Sequence, residues 1–126
     1  MNPVYIYGLA AQHTRWATVR QAVITGNIAN ANTGGYSAQE IEPFSAVMDN
    51  PSGFAMATTS ANDIGAAQDG TDIDGSRTWK VSDTGAPVAL DQEMVKADDV
   101  SRSFSLDTSI VKAFHRMILE SVKSGT

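Results

Sequence analysis

Arg20-Gln21-Ala22-Val23-Ile24-Thr25-Gly26-Asn27-Ile28-Ala29-Asn30-Ala31-Asn32-Thr33-Gly34-Gly35-Tyr36 runs from an apolar helical pattern into a concentrated stop signal. Asn27, Asn30 and Asn32 crowd the end of the pattern, and Gly34-Gly35 follows. Asparagine tolerates left-handed backbone and glycine supplies it, so the helix is expected to close here. Upstream, Leu9, Trp16 and Val23 recur at intervals of seven, with Tyr5 and Val19 on the neighbouring ridge. That spacing predicts a narrow seam for a second helix, with Gln12, Arg15 and Thr18 opposite. Pro3 stands where proline suits a helix start. A helix is therefore predicted over about residues 4–31.

The far end of the chain repeats the pattern. Leu90, Ala97, Phe104, Val111 and Ile118 recur at intervals of seven. Met94 and Val122 share a second row, interrupted by Ser101, Thr108 and His115. Asp91 is expected as the N-cap, with Glu93 in the first turn and Lys123 near the end, each favoured there electrostatically. The serine-rich stretch 101–109 has weak helix propensity and is expected to fray or break in isolation.

The middle reads differently. Residues 33–89 hold Pro43, Pro51 and Pro87 and seven of the ten glycines. Asp69-Gly70 and Asp74-Gly75 are turn dipeptides. Only Arg77–Val81 alternates well enough to predict a strand, with a turn at Ser82–Gly85. The expected division is 1–36 (N-terminal helix and Asn-rich turn), 37–89 (irregular, partly β) and 90–126 (C-terminal helix). The predicted class is mainly α, with the two terminal helices in an antiparallel coiled-coil-like pair. Such a chain is marginal alone and gains stability on assembly.

Charge narrows the functional classes. The 126 residues carry a net charge of −5, and residues 45–89 contribute −4 of it. Nucleic-acid binding needs a clustered positive field, and none is visible. No apolar run approaches the ~18 residues of a membrane helix, so direct membrane insertion is not expected. The N-terminus shows no basic segment followed by an apolar stretch, so no cleaved secretory signal is expected. Cysteine is absent, which removes disulfides and thiolate metal sites.

Catalytic and cofactor signals are equally sparse. His13 and His115 are the only histidines and lack a third ligand at metal spacing. His13 is expected on the helix surface, and His115 at the seam or surface. The segment 70–75 echoes a calcium loop, but Gly70 and Val81 occupy positions that need carboxylates. No Gly-x-Ser-x-Gly elbow occurs. Asp98 and Asp99 read as a charged helix face rather than an acid/base pair. No enzyme, cofactor or metal is expected.

The quoted stretch resembles the N-terminal signature of bacterial flagellar rod, hook and hook-associated proteins. Asn27, Ile28, Ala29, Asn30, Thr33, Gly35 and Tyr36 match it; Gly34 stands where that family most often has proline. Val88-Ala89-Leu90-Asp91-Gln92-Glu93-Met94 is similar to the segment that opens the family's C-terminal helix, with Ala89 replacing an acidic residue. The short middle points to the proximal rod subgroup. Phe104 falls where that subgroup usually has tyrosine, and the expected histidine after Thr59 is missing, with Asp63 in the region.

The resemblance implies a structural subunit of the basal-body rod in the periplasm. It implies flagellum-specific type III export without a cleaved signal, and helical polymerisation through the terminal helices. The implied partners are other rod proteins, copies of the chain, basal-body ring or adaptor proteins and the export apparatus. A small helical adaptor or flagellar export chaperone is the alternative. Asn27 and Asn30 project from similar faces and are expected either to set register with a neighbouring subunit or to cap locally. Tyr36 is expected as a packing aromatic.

Overall fold

The computed structural model describes residues 3–48 and 79–125. The order is α1 (Pro3–Ala29), β1 (Gln39–Ile41), α2 (Phe44–Met48), β2 (Val81–Asp83) and α3 (Leu90–Lys123). The turn dipeptides, the calcium-like loop, Thr59 and Asp63 lie outside the described residues.

α1 runs 27 residues with no proline after its first position. It ends in tightened turns, with the Asn30 amide 3.1 Å from the Gly26 carbonyl and 3.2 Å from that of Asn27. α3 runs 34 residues without interruption. The expected weakness at Ser101–Ser109 is overridden because Val100 and Asp107 are buried against the rest of the fold. Ser103 and Ser109 also return their hydroxyls to carbonyls one turn back. Ala89, not Asp91, is the N-cap of α3, and it supplies no side-chain bond. Asp91 instead sits within the first turn, where its charge still favours the helix dipole.

β1 and β2 pair antiparallel, Gln39 with Asp83, Glu40 with Ser82 and Ile41 with Val81. Bonds from Ala38 to Ala86 (2.8 Å) and from Glu42 to Lys80 (2.9 Å) extend the pairing at both ends. Of the predicted strand Arg77–Val81, Arg77 and Thr78 lie outside the described residues, Trp79 and Lys80 precede the strand, and β2 begins at Val81. Ser82 and Asp83, expected in a turn, are ladder residues; the bend falls later, at Gly85.

α1 packs on α3 and on β1. Trp16, Ala17, Ile24, Ile41 and Val100 form the core, flanked by Val19, Ile28, Phe44, Trp79, Ala97 and Phe104. The buried heptad row of α1 is Ala10, Ala17 and Ile24, one residue on from the expected Leu9, Trp16 and Val23. Trp16 is buried beside that row, while Leu9 and Val23 are half-buried on its flank. The two alanines explain the rotation, since small side chains let the helices approach and push larger ones aside. Gln12 is buried rather than exposed, whereas Arg15 and Thr18 face solvent.

On α3 the inward row is displaced three residues from the expected Leu90, Ala97 and Phe104. Its buried row is Glu93, Val100 and Asp107. Ala97, Phe104 and Val111 flank it half-buried, and Leu90, Met94 and Ile118 are exposed. Two of the three most buried residues on this helix are therefore acidic, and each requires a partner.

Candidate assembly site

The first of these acids meets the Asn-rich motif. Asn27 is 1% exposed and Glu93 is 2% exposed. The Asn27 amide nitrogen donates to the Gln39 carbonyl (2.8 Å) and to Glu93 Oε2 (3.1 Å). Its oxygen accepts from the Gln39 backbone N–H (2.9 Å) and from the Tyr36 hydroxyl (3.3 Å). All four contacts are internal to the chain. The amide joins the end of α1, the following turn, β1 and the start of α3. With its hydrogen-bonding capacity filled at home, Asn27 has nothing left to offer a neighbouring subunit.

Asn30 is a local cap. Its nitrogen donates to the Gly26 carbonyl (2.9 Å), and its oxygen accepts from the Thr33 hydroxyl (3.3 Å). Ile28 flanks the core, and Ala29 is the exposed last residue of α1. Gly35 adopts φ 77°, the left-handed conformation that turns the chain toward β1. Tyr36 is half-buried, and its hydroxyl reaches the Asn27 hub. Gly35→Ala is expected to destabilise the chain by about 1 kcal/mol from backbone strain, read as a lower urea midpoint by circular dichroism. Open space around a built Cβ leaves that strain as its sole cause.

Lys96 completes this junction. Its ammonium lies 2.6 Å from Glu40 on β1 and 3.0 Å from Glu93 one turn back on α3. The Glu40 hydrogen bond is the main cause of a lysine pKa raised above its ordinary 10.5, with Glu93 adding to it against partial desolvation. A raised folded value means the contribution is full below pH 10.5 and is lost as pH climbs through the folded value. Above pH 10.5 the wild type is therefore expected to lose stability more steeply than Lys96→Met. Urea melts across alkaline pH check this.

The second buried acid meets α1 near its middle. His13 Nδ1 lies 2.7 Å from Asp107 Oδ2. A carboxylate only accepts, so Nδ1 carries the proton. The Thr14 hydroxyl lies 3.2 Å from the same oxygen and 2.9 Å from the Ala10 carbonyl. The His13 ring meets Phe44 edge-on at 4.8 Å between centroids and lies 5.4 Å from Trp16. His13 is thus no ordinary surface residue; it tethers α1 to α3 and supports the first residue of α2. His115 is exposed. The two polar contacts, Asn27 with Glu93 and His13 with Asp107, stand two heptads apart on each helix.

The sequence did not reveal Gln39, Glu40, Lys96 or Asp107 as members of these clusters. Glu93 carried the one usable signal, as an acid inside the second family-like segment. Among the described residues, no group of three or more His, Asp or Glu stands placed to hold a metal, and no helix is long and apolar enough to cross a membrane.

No protein-family model matches the chain. Among curated proteins, it is similar to the flagellar basal body rod protein FlgB of Agrobacterium fabrum (strain C58), with 36% identity over 129 residues. The match covers 98% of this chain and 96% of that protein. The chain belongs to the FlgB family of flagellar basal-body rod proteins. The FlgB match spans both helices and the middle, so it extends beyond the two terminal motifs that first suggested it.

Proposed function

We propose that this chain is a structural, non-catalytic subunit of the flagellar basal-body rod. Its long helices form an antiparallel coiled-coil-like pair whose outer faces join it to other rod proteins and to copies of itself. The antiparallel reading is supported by contacts that run in opposite chain order: Tyr7 with Phe114, His13 with Asp107, and Asn27 with Glu93. Membership of the FlgB family supports the rod itself. The observation that carries assembly is apolar surface left uncovered on both helices, including Tyr7, Met94, Leu106, Met117 and Leu119. A helix pair offers each member one partner, and the remaining faces gain further burial only from neighbours.

On this reading the chain reaches the periplasmic rod through flagellar type III export without a cleaved signal. The expected neighbours are other rod proteins, ring or adaptor proteins and the export apparatus. Deleting the gene is expected to abolish motility and leave basal bodies without a complete rod, with the intact chain restoring both. Tagged chain should co-purify with isolated basal bodies. Motile deletion cells with complete rods would overturn the reading. Tagged chain confined to the cytoplasm would point instead to an adaptor or export chaperone.

A further inference from the structure

Charge is sorted along the helix pair. α1 holds no aspartate or glutamate. On α3 every acid but Glu120 stands at or before Asp107. Beyond Asp107, Lys112, Arg116 and Lys123 outnumber that one acid, in a chain whose net charge is −5. The last turns of α3 meet the first turns of α1 through Tyr7 and Phe114, whose rings lie 6.2 Å apart. This end of the pair is thus basic although the chain as a whole is acidic.

The same end is apolar on its outside. Met117, Ile118, Leu119 and Val122 are 61%, 49%, 52% and 67% exposed. Neighbouring residues stand about 100° apart around a helix, so the first three alone span about 200° of its circumference. A single docked helix covers one stripe and would leave the rest wet. A lipid headgroup layer surrounds the end from every side. Between α1 and α3, Tyr7, Phe114, Ile118 and Leu119 line an open groove of about 780 Å³, with Lys112 and Arg116 also in its walls. Neither cation makes an ion pair among the described residues. They lie one turn apart and in line with Leu119. Such side chains lay their stems on apolar surface and carry their charge outward, and a phenol such as that of Tyr7 suits the same boundary.

We propose that this end of the helix pair lies on an anionic lipid surface, with Met117, Leu119 and Val122 among the first acyl carbons and Lys112 and Arg116 at the phosphates. The charge of the end is complementary to that surface and opposite to the charge of the chain. The contact is with the surface alone, because no described helix is long and apolar enough to cross a membrane. It goes beyond the structural-subunit reading and concerns the free chain, in which no neighbour covers the apolar end.

Flotation of the full-length chain with extruded vesicles tests this. Vesicles of equimolar phosphatidylglycerol and phosphatidylcholine are expected to carry the chain at low salt, and pure phosphatidylcholine vesicles are not. Lys112→Gln with Arg116→Gln is expected to lower affinity for the anionic vesicles about 30-fold. Leu119→Gln is expected to weaken it too, whereas Val95→Gln, at the acidic end, is not. All four positions are exposed, so circular dichroism and the urea midpoint should match wild type. Met117→Trp places an indole at the tip; its emission should shift to the blue on anionic vesicles and be quenched by brominated acyl chains. Equal binding to both vesicles, full binding by the double glutamine variant, or an unshifted indole overturns the proposal. So does indifference to vesicles in a chain that binds an acidic amphipathic peptide, which would assign the end to a protein partner. Rod incorporation is scored separately: a chain that enters basal bodies yet ignores anionic vesicles keeps its structural role and loses this contact.

Discussion

Trp16→Ala is expected to lower the stability of the folded chain by about 3–5 kcal/mol, the range for removing a buried tryptophan. Trp16 is buried where α1, α2 and the end of β1 converge. Its indole N–H donates to the Glu42 carbonyl at 2.9 Å, just past β1. Its ring lies 5.8 Å from Phe44 and 5.4 Å from His13, and the Arg20 guanidinium sits 5.2 Å over its centroid. The substitution removes volume from the core, strands a carbonyl and releases α2 together. Phenylalanine at the same position restores much of the volume but not the donor. Trp16→Phe is accordingly expected to fall between wild type and alanine. Urea unfolding followed by far-ultraviolet circular dichroism measures both, and an alanine variant within about 0.5 M of the wild-type midpoint would contradict the assignment.

Asn27→Ala is expected to cost about 2–4 kcal/mol, because it leaves more than one buried polar group unpaired at ~1–3 kcal/mol each. The Gln39 N–H and C=O lose their partner, and Glu93 is left leaning on Lys96 alone. Asn27→Asp keeps the shape but replaces the donor with a carboxylate beside Glu93. It is expected to be at least as damaging, since two buried like charges repel and neither bonds the other. The location of the loss identifies the role. If Asn27 served a neighbouring subunit instead, the isolated chain would keep its urea midpoint and only incorporation into rods would suffer. The structure predicts the reverse order: the monomer weakens first, and assembly fails as a result.

The long helices and the turn after the first were legible in the sequence because heptad spacing, glycine and asparagine act locally. Which face of each helix turns inward was not. Leu9, Trp16 and Val23 outweigh Ala10, Ala17 and Ile24 in hydrophobicity, yet close approach selects the smaller row. On α3 the inward row includes Glu93 and Asp107, which any hydrophobic reading assigns to solvent. Their burial depends on Asn27, His13 and Thr14 across the interface, and sequence distance hides that pairing. β1 was missed because three residues carry too little alternation to be seen. Within the candidate site, the Asn27–Tyr36 segment was legible as a motif. Its orientation was not, since an amide looks the same in sequence whether its partners are its own strand or another chain.

The paired polar contacts two heptads apart also govern how the helices can slide past each other. A slip of one heptad that preserves the apolar stripe would set Asn27 against Val100 and His13 against Phe114. Glu93 would be carried past the end of α1, and Asp107 would be drawn away from its imidazole. Both polar pairings fail together, so the misaligned pair retains its hydrophobic contact but strands several buried groups. Alanine-lined helices on their own would tolerate such shifts with little penalty. The buried acids thus act as a vernier, giving the sliding coordinate a single deep minimum each time the chain folds.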